Sequence, residues 1–333
     1  MEQRILGRTG RSVSVVGLGT WQLGADWGNV SEADAMDVLR AAVESGVTFF
    51  DTADVYGDGR SERVIGRFLA DNAGQGITVA TKMGRRVDQQ AENYTLENFR
   101  AWTDRSRVNL GTDQLDLVQL HCPPSPVFAS DAVYDALDTL VAEERIAAYG
   151  VSVETCDQAL AAIARPGMAS VQIILNAFRR KPLDQVLPAA AAAGVGIIAR
   201  VPLASGLLSG RYTRETTFGA DDHRNFNARG EAFDVGETFS GVDFEAGVEA
   251  AREFGAITGG SAGRAPAGTG AQWALRWVIQ QPGVTTVIPG ARSTDQARQN
   301  AEAAALPPLS QAELNEIEAL YDKYFRAKVH DRW

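Results

Sequence analysis

A short apolar run followed by an amphipathic stretch recurs along the whole chain, and no other feature restricts the fold as strongly. The strand-like runs are 47–50, 77–81, 115–120, 147–151, 171–175, 195–199 and 284–288, with 13–18 available as an earlier one. They are rich in Val, Ile and Phe, and several lack polar alternation, as strands covered on both faces do. Helix signals lie between them. Ser31 with Asp34, Thr155 with Gln158 and Ser310 with Glu313 have capping-box spacing, and Val133, Leu137, Leu140 and Val141 share one helical face. Eight strand candidates alternating with helices predict an α/β fold, a closed (β/α)8 TIM barrel, with a doubly wound open sheet as the structural rival.

A length of 333 residues suits one such barrel with insertions, so residues 1–333 read as a single domain. Residues 5–16, with Gly7 and Gly10, predict a β-hairpin outside the barrel. Two segments break the rhythm: 213–247, polar and weakly periodic, and 259–270, dominated by Gly, Ala, Ser and Pro. Both read as long loops before a helix at 272–280, where function tends to reside. A net charge of −10 repels phosphate backbones and argues against a nucleic-acid partner. Two cysteines are too few for a disulfide framework and suit a reducing cytosol. Neither a signal-peptide pattern nor a membrane-length apolar run is visible, so a cytoplasmic protein without a membrane partner is expected.

Reactive polar residues sit where the strand-like runs end. Asp51 ends Val-Thr-Phe-Phe-Asp, Lys82 ends Ile-Thr-Val-Ala-Thr-Lys, His121 ends Leu-Val-Gln-Leu-His, and Ser152 follows Tyr-Gly-Val. Barrel strands deliver their carboxyl ends to one face. Spacings of 31 residues (51 to 82) and 39 residues (82 to 121) each fit one βα unit. Tyr56 follows Asp51 on a loop that Gly57 and Gly59 allow to turn sharply. A phenol of ordinary pKa, about 10, is a slow proton donor at neutral pH, and a nearby ammonium lowers that pKa. Lys82 can supply the ammonium, Asp51 can hold it, and His121 can hydrogen-bond a substrate oxygen. Singly, each of these is more often a solvated or structural residue. Their joint placement at successive strand ends points to chemistry.

The pattern Asp51-Thr52-Ala53-x-x-Tyr56-Gly57-x-Gly59-x-Ser61-Glu62, followed by Thr81-Lys82 and His121-Cys122-Pro123, resembles the aldo-keto reductases. Gly150-Val151-Ser152, Val171-Gln172 and Ile288-Pro289-Gly290-Ala291-Arg292-Ser293 do so as well, in the expected order. The resemblance runs from Leu6 to about Asn300 and looks closest to bacterial branches that also include potassium-channel β-subunit-like members. It implies that Tyr56 is the general acid in carbonyl reduction and the base in the reverse oxidation. Lys82 would tune it, Asp51 would support Lys82, and His121 would orient the carbonyl. NADP(H) would be the hydride carrier. No metal is implied, and His121, His223 and His330 lack ligand spacing.

The resemblance also implies cofactor contacts. Ser152 and Gln172 match positions that hold the nicotinamide carboxamide; the Asn usual after that Ser is Val153 here. In Ala199-Arg200-Val201-Pro202-Leu203, Arg200 replaces a Tyr that stacks on the nicotinamide in many members. Its guanidinium plane is expected to stack on the ring in place of that Tyr, with binding an acidic substrate or pairing with an acidic neighbour as the alternatives. Ser205, Gly206, Leu208, Gly210 and Arg211 fall in a segment similar to the pyrophosphate-binding loop. Gly290 and Arg292 precede a helix expected to start near Ser293 or Thr294, with Arg292 favouring the 2′-phosphate of NADP and Gln296 and Asn300 on the adenine side.

Trp21 matches a position beside the substrate, and Trp27 is either a second pocket wall or rim packing. Trp273 and Trp277, four apart, read as core, and Cys122 as packing. Residues 329–333 would cover either the pocket or a neighbouring subunit. The expected partner is a small carbonyl or alcohol substrate, reduced with NADPH or oxidised in reverse, and a homo-oligomer is left open. A nucleotide-sensing regulatory subunit with little turnover is the rival function; assay against a panel of carbonyl compounds separates the two.

Overall fold

The computed structural model describes residues 1–24, 30–232, 234–259 and 268–333. An antiparallel hairpin, β1 (Gln3–Ile5) and β2 (Ser12–Ser14), comes first. The barrel then runs β3 (Leu18–Gly19), α1 (Glu32–Glu44), β4 (Phe49–Asp51), α2 (Arg60–Asp71), β5 (Thr78–Met83), α3 (Leu96–Leu110), β6 (Leu117–His121) and α4 (Asp131–Ala142). It continues with β7 (Tyr149–Ser152), α5 (Cys156–Ile163), β8 (Met168–Ile174), α6 (Val186–Ala193) and β9 (Gly196–Arg200). A short α7 (His223–Phe226), α8 (Phe244–Gly259), α9 (Gly270–Ile279), β10 (Val284–Val287), α10 (Thr294–Glu302) and α11 (Gln311–Tyr321) follow.

Strands β3 to β10 pair parallel in sequence order. The barrel closes where Gly17 N donates to Val287 O at 2.8 Å and Gly19 N to Pro289 O at 3.0 Å. An open sheet has no such bonds between its first and last strands, so the closed alternative holds.

Strand alternation explains why apolar runs end in chemistry. Successive side chains point to opposite faces. In β4, Phe50 faces outward onto Phe68 of α2, with ring centroids 6.1 Å apart, while Phe49 faces inward. Phe49, Ala80, Leu117, Ile198 and Ile288 fill the barrel interior together with Leu6 and Val13 from the hairpin. Two residues further along their strands, Asp51, Lys82, Gln119 and Arg200 point the same way, one layer nearer the carboxyl ends. The hairpin therefore plugs the opposite end. Gly7 is required there: a Cβ would lie 2.2 Å from Ala169 O and 2.2 Å from Gly196 N, at φ +48.

Two sequence expectations change. Residues 13–18 do not form one strand, because the Ser14 hydroxyl donates to Val16 O at 2.7 Å and the chain turns between β2 and β3. Segment 213–247 is not loop throughout, since α8 begins at Phe244. Its remainder has a core of its own: Tyr212 packs on Phe218 at 5.3 Å and Phe239 on Phe244 at 5.1 Å. Of segment 259–270, residues 260–267 lie outside the described residues. The capping boxes at Thr155 and Ser310 form, and Ser293 caps α10 as expected. Among the described residues, no helix is long and apolar enough to cross a membrane.

Candidate active site

The polar layer is organised around Asp51. Its Oδ1 accepts from Lys82 Nζ, and its Oδ2 accepts from Gln119 Nε2 at 3.1 Å and Gln172 Nε2 at 2.7 Å. Asp51 is 2% exposed and Lys82 1%, so two charges would be costly here without these bonds. The ammonium also donates to Thr52 O at 2.9 Å and to the Tyr56 hydroxyl at 3.4 Å. Sheet register makes this meeting possible: Lys82 stands opposite Gln119, and His121, Ser152 and Gln172 stand opposite one another across β6, β7 and β8.

Electrostatics assign the protonation states. Burial would lower the pKa of Lys82, but Asp51 and then the Tyr56 hydroxyl outweigh it, and the net direction is up. Burial raises the pKa of Tyr56; Lys82 opposes this, while Asp51 and Glu237 add to it. The expectation from sequence, a phenol lowered by its ammonium, is thus reversed in net direction, because desolvation of the phenolate exceeds the attraction of Lys82. Burial, with Arg85, Lys82 and Arg200 nearby, holds His121 well below its ordinary value, so its ring is neutral at pH 7. That ring meets Tyr56 edge-on at 6.0 Å, and Trp21 stacks on the phenol with ring centroids 6.2 Å apart.

Asp51, Tyr56 and His121 line a cavity of about 460 Å³ at the carboxyl ends of the strands. Lys82 does not line it and reaches it through Tyr56. Ser152, Gln172, Arg200, Pro202 and Leu203 reach the wall, as do Ser205, Gly206 and Arg211. Gly290, Arg292, Gln296 and Asn300 line the far end. Gln296 Oε1 accepts from Arg292 N at 2.8 Å and Asn300 Nδ2 donates to Gly290 O at 3.1 Å, so both also shape that turn. Leu208 is not at the wall; it is buried in the core, and Gly210 ends its turn at φ +70. Trp21 lines the cavity, and Trp27 lies outside the described residues.

Arg200 lines the cavity and is paired with acidic neighbours there. It donates to Glu154 Oε2 at 3.0 Å and Val153 O at 3.1 Å, and pairs with Glu237 at 3.3 Å. Arg85 stands 3.5 Å from each of the same carboxylates. Cys122, Glu154 and Glu237 offer ligand atoms within 4.8 Å of one another, but these two guanidinium groups already engage both acids. Cys122 is pushed up to about 12 by burial, which suits packing rather than nucleophilic attack.

Sequence reading missed Gln119, Glu154, Arg85, His223, Arg224 and Glu237. Gln119 had a visible signal, a polar residue two before His121 on the same strand face. The last three come from segment 213–247, whose weak periodicity does not place them. His223 packs on Trp21 at 5.2 Å, and burial pushes it down to about 4. Arg224, bonded to Asp222 and the Tyr212 hydroxyl, lines the cavity together with Arg292.

A closed barrel with an Asp–Lys–Tyr group and a neutral His at one mouth defines a class of protein, and comparison with known sequences agrees. The chain belongs to the aldo/keto reductase family, whose family model matches residues 15–322. A rice (Oryza sativa subsp. japonica) protein named as a probable voltage-gated potassium channel subunit beta is 27% identical, covering 96% of each chain. The structure of the glycerol dehydrogenase AKR11B4 from Gluconobacter oxydans is similar with a TM-score of 0.78 and 28% identity, covering 97% of this chain and 95% of that one. An aldo-keto reductase from Klebsiella pneumoniae, solved with NADPH, has a TM-score of 0.68 and 25% identity, covering 96% of each chain.

Proposed function

We propose that this protein is an NADP(H)-dependent oxidoreductase that reduces a small aldehyde or ketone to an alcohol. Lys82 Nζ carries this reading: it donates to Asp51 and, at 3.4 Å, to Tyr56 at the cavity. A nicotinamide cofactor supplies hydride when bound. The residues fit such a group, since Arg211, Arg224 and Arg292 bring positive charge to one cavity and Tyr56 and His121 bring proton donors to the same cavity. Arg224 and Arg292 line the same cavity, and burial first and then Arg224 lower the pKa of Arg292, while Asp222 opposes this. The Klebsiella protein's NADPH complex supports the cofactor, and similarity to a protein named glycerol dehydrogenase supports alcohol–carbonyl chemistry.

The chain's own part is positional and protonic. Neutral His121 donates a hydrogen bond to the carbonyl oxygen, and Tyr56 delivers the proton as that oxygen gains charge. Lys82 stabilises the resulting phenolate, with Asp51 and its two glutamines keeping the ammonium aimed. A raised Tyr56 pKa keeps the phenol protonated at pH 7, the state needed for reduction. Gln172 is committed to Asp51 and Gln119, so its role is to hold the acid as well as to face the cofactor. We place the whole chain in one working domain in the cytoplasm, with small-molecule partners.

Steady-state NADPH oxidation against a carbonyl panel tests this. Tyr56→Phe should lower kcat by about 10²–10⁴-fold while leaving the NADPH dissociation constant within about threefold. Equal loss of binding would make Tyr56 structural, and tight binding without wild-type turnover would favour the sensor function.

A further inference from the structure

Arg200 depends on two carboxylates, and both are anchored from behind by residues that do not line the cavity. Arg179 is 1% exposed and lies five residues beyond the end of β8. Its guanidinium donates through Nη2 to Glu154 O, the backbone of Arg200's first partner. The same guanidinium lies 3.8 Å from the ring centroid of Trp333, which is 6% exposed. Trp333 O in turn accepts from Cys156 N at 2.9 Å, at the start of α5.

The second partner, Glu237, is seated on the same pair. A Cβ on Gly236 would lie 2.1 Å from Arg179 Nη1 and 3.0 Å from the Trp333 ring, and one on Gly241 2.8 Å from that ring. Backbone therefore packs against both Arg179 and Trp333 just before Glu237, and against Trp333 again at Gly241. On the cavity side, Ser205 Oγ donates to Glu237 O at 3.1 Å and accepts from Phe239 N at 3.0 Å. Residues 235–241 are thus held between the cavity and the Arg179–Trp333 stack.

We propose that Trp333, acting through Arg179, is a positioning residue for the carbonyl-binding end of the cavity, fixing Glu154 and Glu237 and through them Arg200. The inference rests on the reductase reading for its kinetic consequence but not for its structural one. Without the indole, Arg179 loses its stacking partner and residues 235–241 lose their floor. Glu237 then leaves Arg200, and the guanidinium beside Cys122 (Nη2 to Sγ 3.7 Å) is no longer fixed. Segment 329–333 thereby acts on the pocket from behind instead of covering it.

Two readouts test this in a Cys156→Ser background, which leaves Cys122 as the single thiol. The first is the rate of Cys122 modification by methyl methanethiosulfonate, which needs no turnover. Trp333→Ala should raise it about tenfold over the parent as local opening increases, and over Leu140→Ala, a buried substitution in α4 that controls for lost stability. Trp333→Phe, which keeps a stacking face, should restore most of the protection. The second is kinetic: Trp333→Ala should raise KM for the carbonyl substrate about tenfold with kcat within about threefold. Added to Glu237→Gln, it should raise KM less than about twofold further. Labelling no faster than in Leu140→Ala, or full additivity with Glu237→Gln, overturns the proposal. A wild type that never turns over sinks the reductase reading, while the labelling rates still decide this one.

Discussion

Asp54 follows Asp51 by three residues, and it allows a sharp test of the electrostatics beneath the site. It is fully buried, and neither carboxylate oxygen has a hydrogen-bond partner among the described residues. Burial first, then the Glu62 carboxylate, raise its pKa from 3.8 to about 7, against the opposing pull of Arg86 and Arg105. A folded-state pKa above the unfolded one means that Asp54 favours folding most below pH 4, and that this contribution is lost as pH rises from about 4 through about 7. At ~1.4 kcal/mol per pH unit, that interval corresponds to about 4 kcal/mol. Asp54→Asn keeps the shape and removes the titration, so it should be more stable than wild type at pH 8.5, with the gap narrowing by more than half at pH 5. An unfolding entropy of ~2.1 cal/mol/K per residue converts that energy, for 333 residues, into a Tm gain of about 6 °C. Thermal unfolding of both proteins from pH 5 to 8.5 measures it. Parallel Tm curves across that range would refute the reasoning, because they would mean that Asp54 does not titrate there.

Other substitutions separate binding, chemistry and support. Arg292→Ala should weaken NADPH at least about tenfold and NADH little, read by fluorescence titration; an unchanged preference removes its 2′-phosphate role. Lys82→Met leaves Asp51 buried without its cation and should cost about 3–5 kcal/mol in denaturant unfolding. Combining it with Asp51→Asn should recover stability but not turnover, and recovered turnover would take the ammonium out of the mechanism. Gly7→Ala places a methyl against Ala169 O and Gly196 N and should lower stability by about 2 kcal/mol or more with KM unchanged, since the hairpin sits at the other end of the barrel.

The barrel and its reactive mouth were legible because both follow from local regularities. The carboxyl ends of parallel barrel strands converge on one face, and a period of two keeps residues two apart on the same side of a strand. Asp51, Lys82 and His121 could therefore be placed on one face without coordinates, and Ser293 marked the start of α10. Gln119 was equally accessible by the same periodicity.

Tertiary structure decided what depends on contacts between residues distant in sequence. The ion pairs of Arg200 could not be read from the sequence, because Glu154 and Glu237 arrive from different segments, 46 and 37 residues away (200 to 154, 200 to 237). The direction of the Tyr56 pKa likewise depends on how much solvent the packed chain removes, which outweighed the Lys82 charge. Strand order, barrel class and which polar residues end the strands could be read from the sequence, because backbone periodicity encodes them locally. Ion pairing, desolvation and the seating of residues 235–241 on Trp333 are long-range and emerge only once the chain is closed.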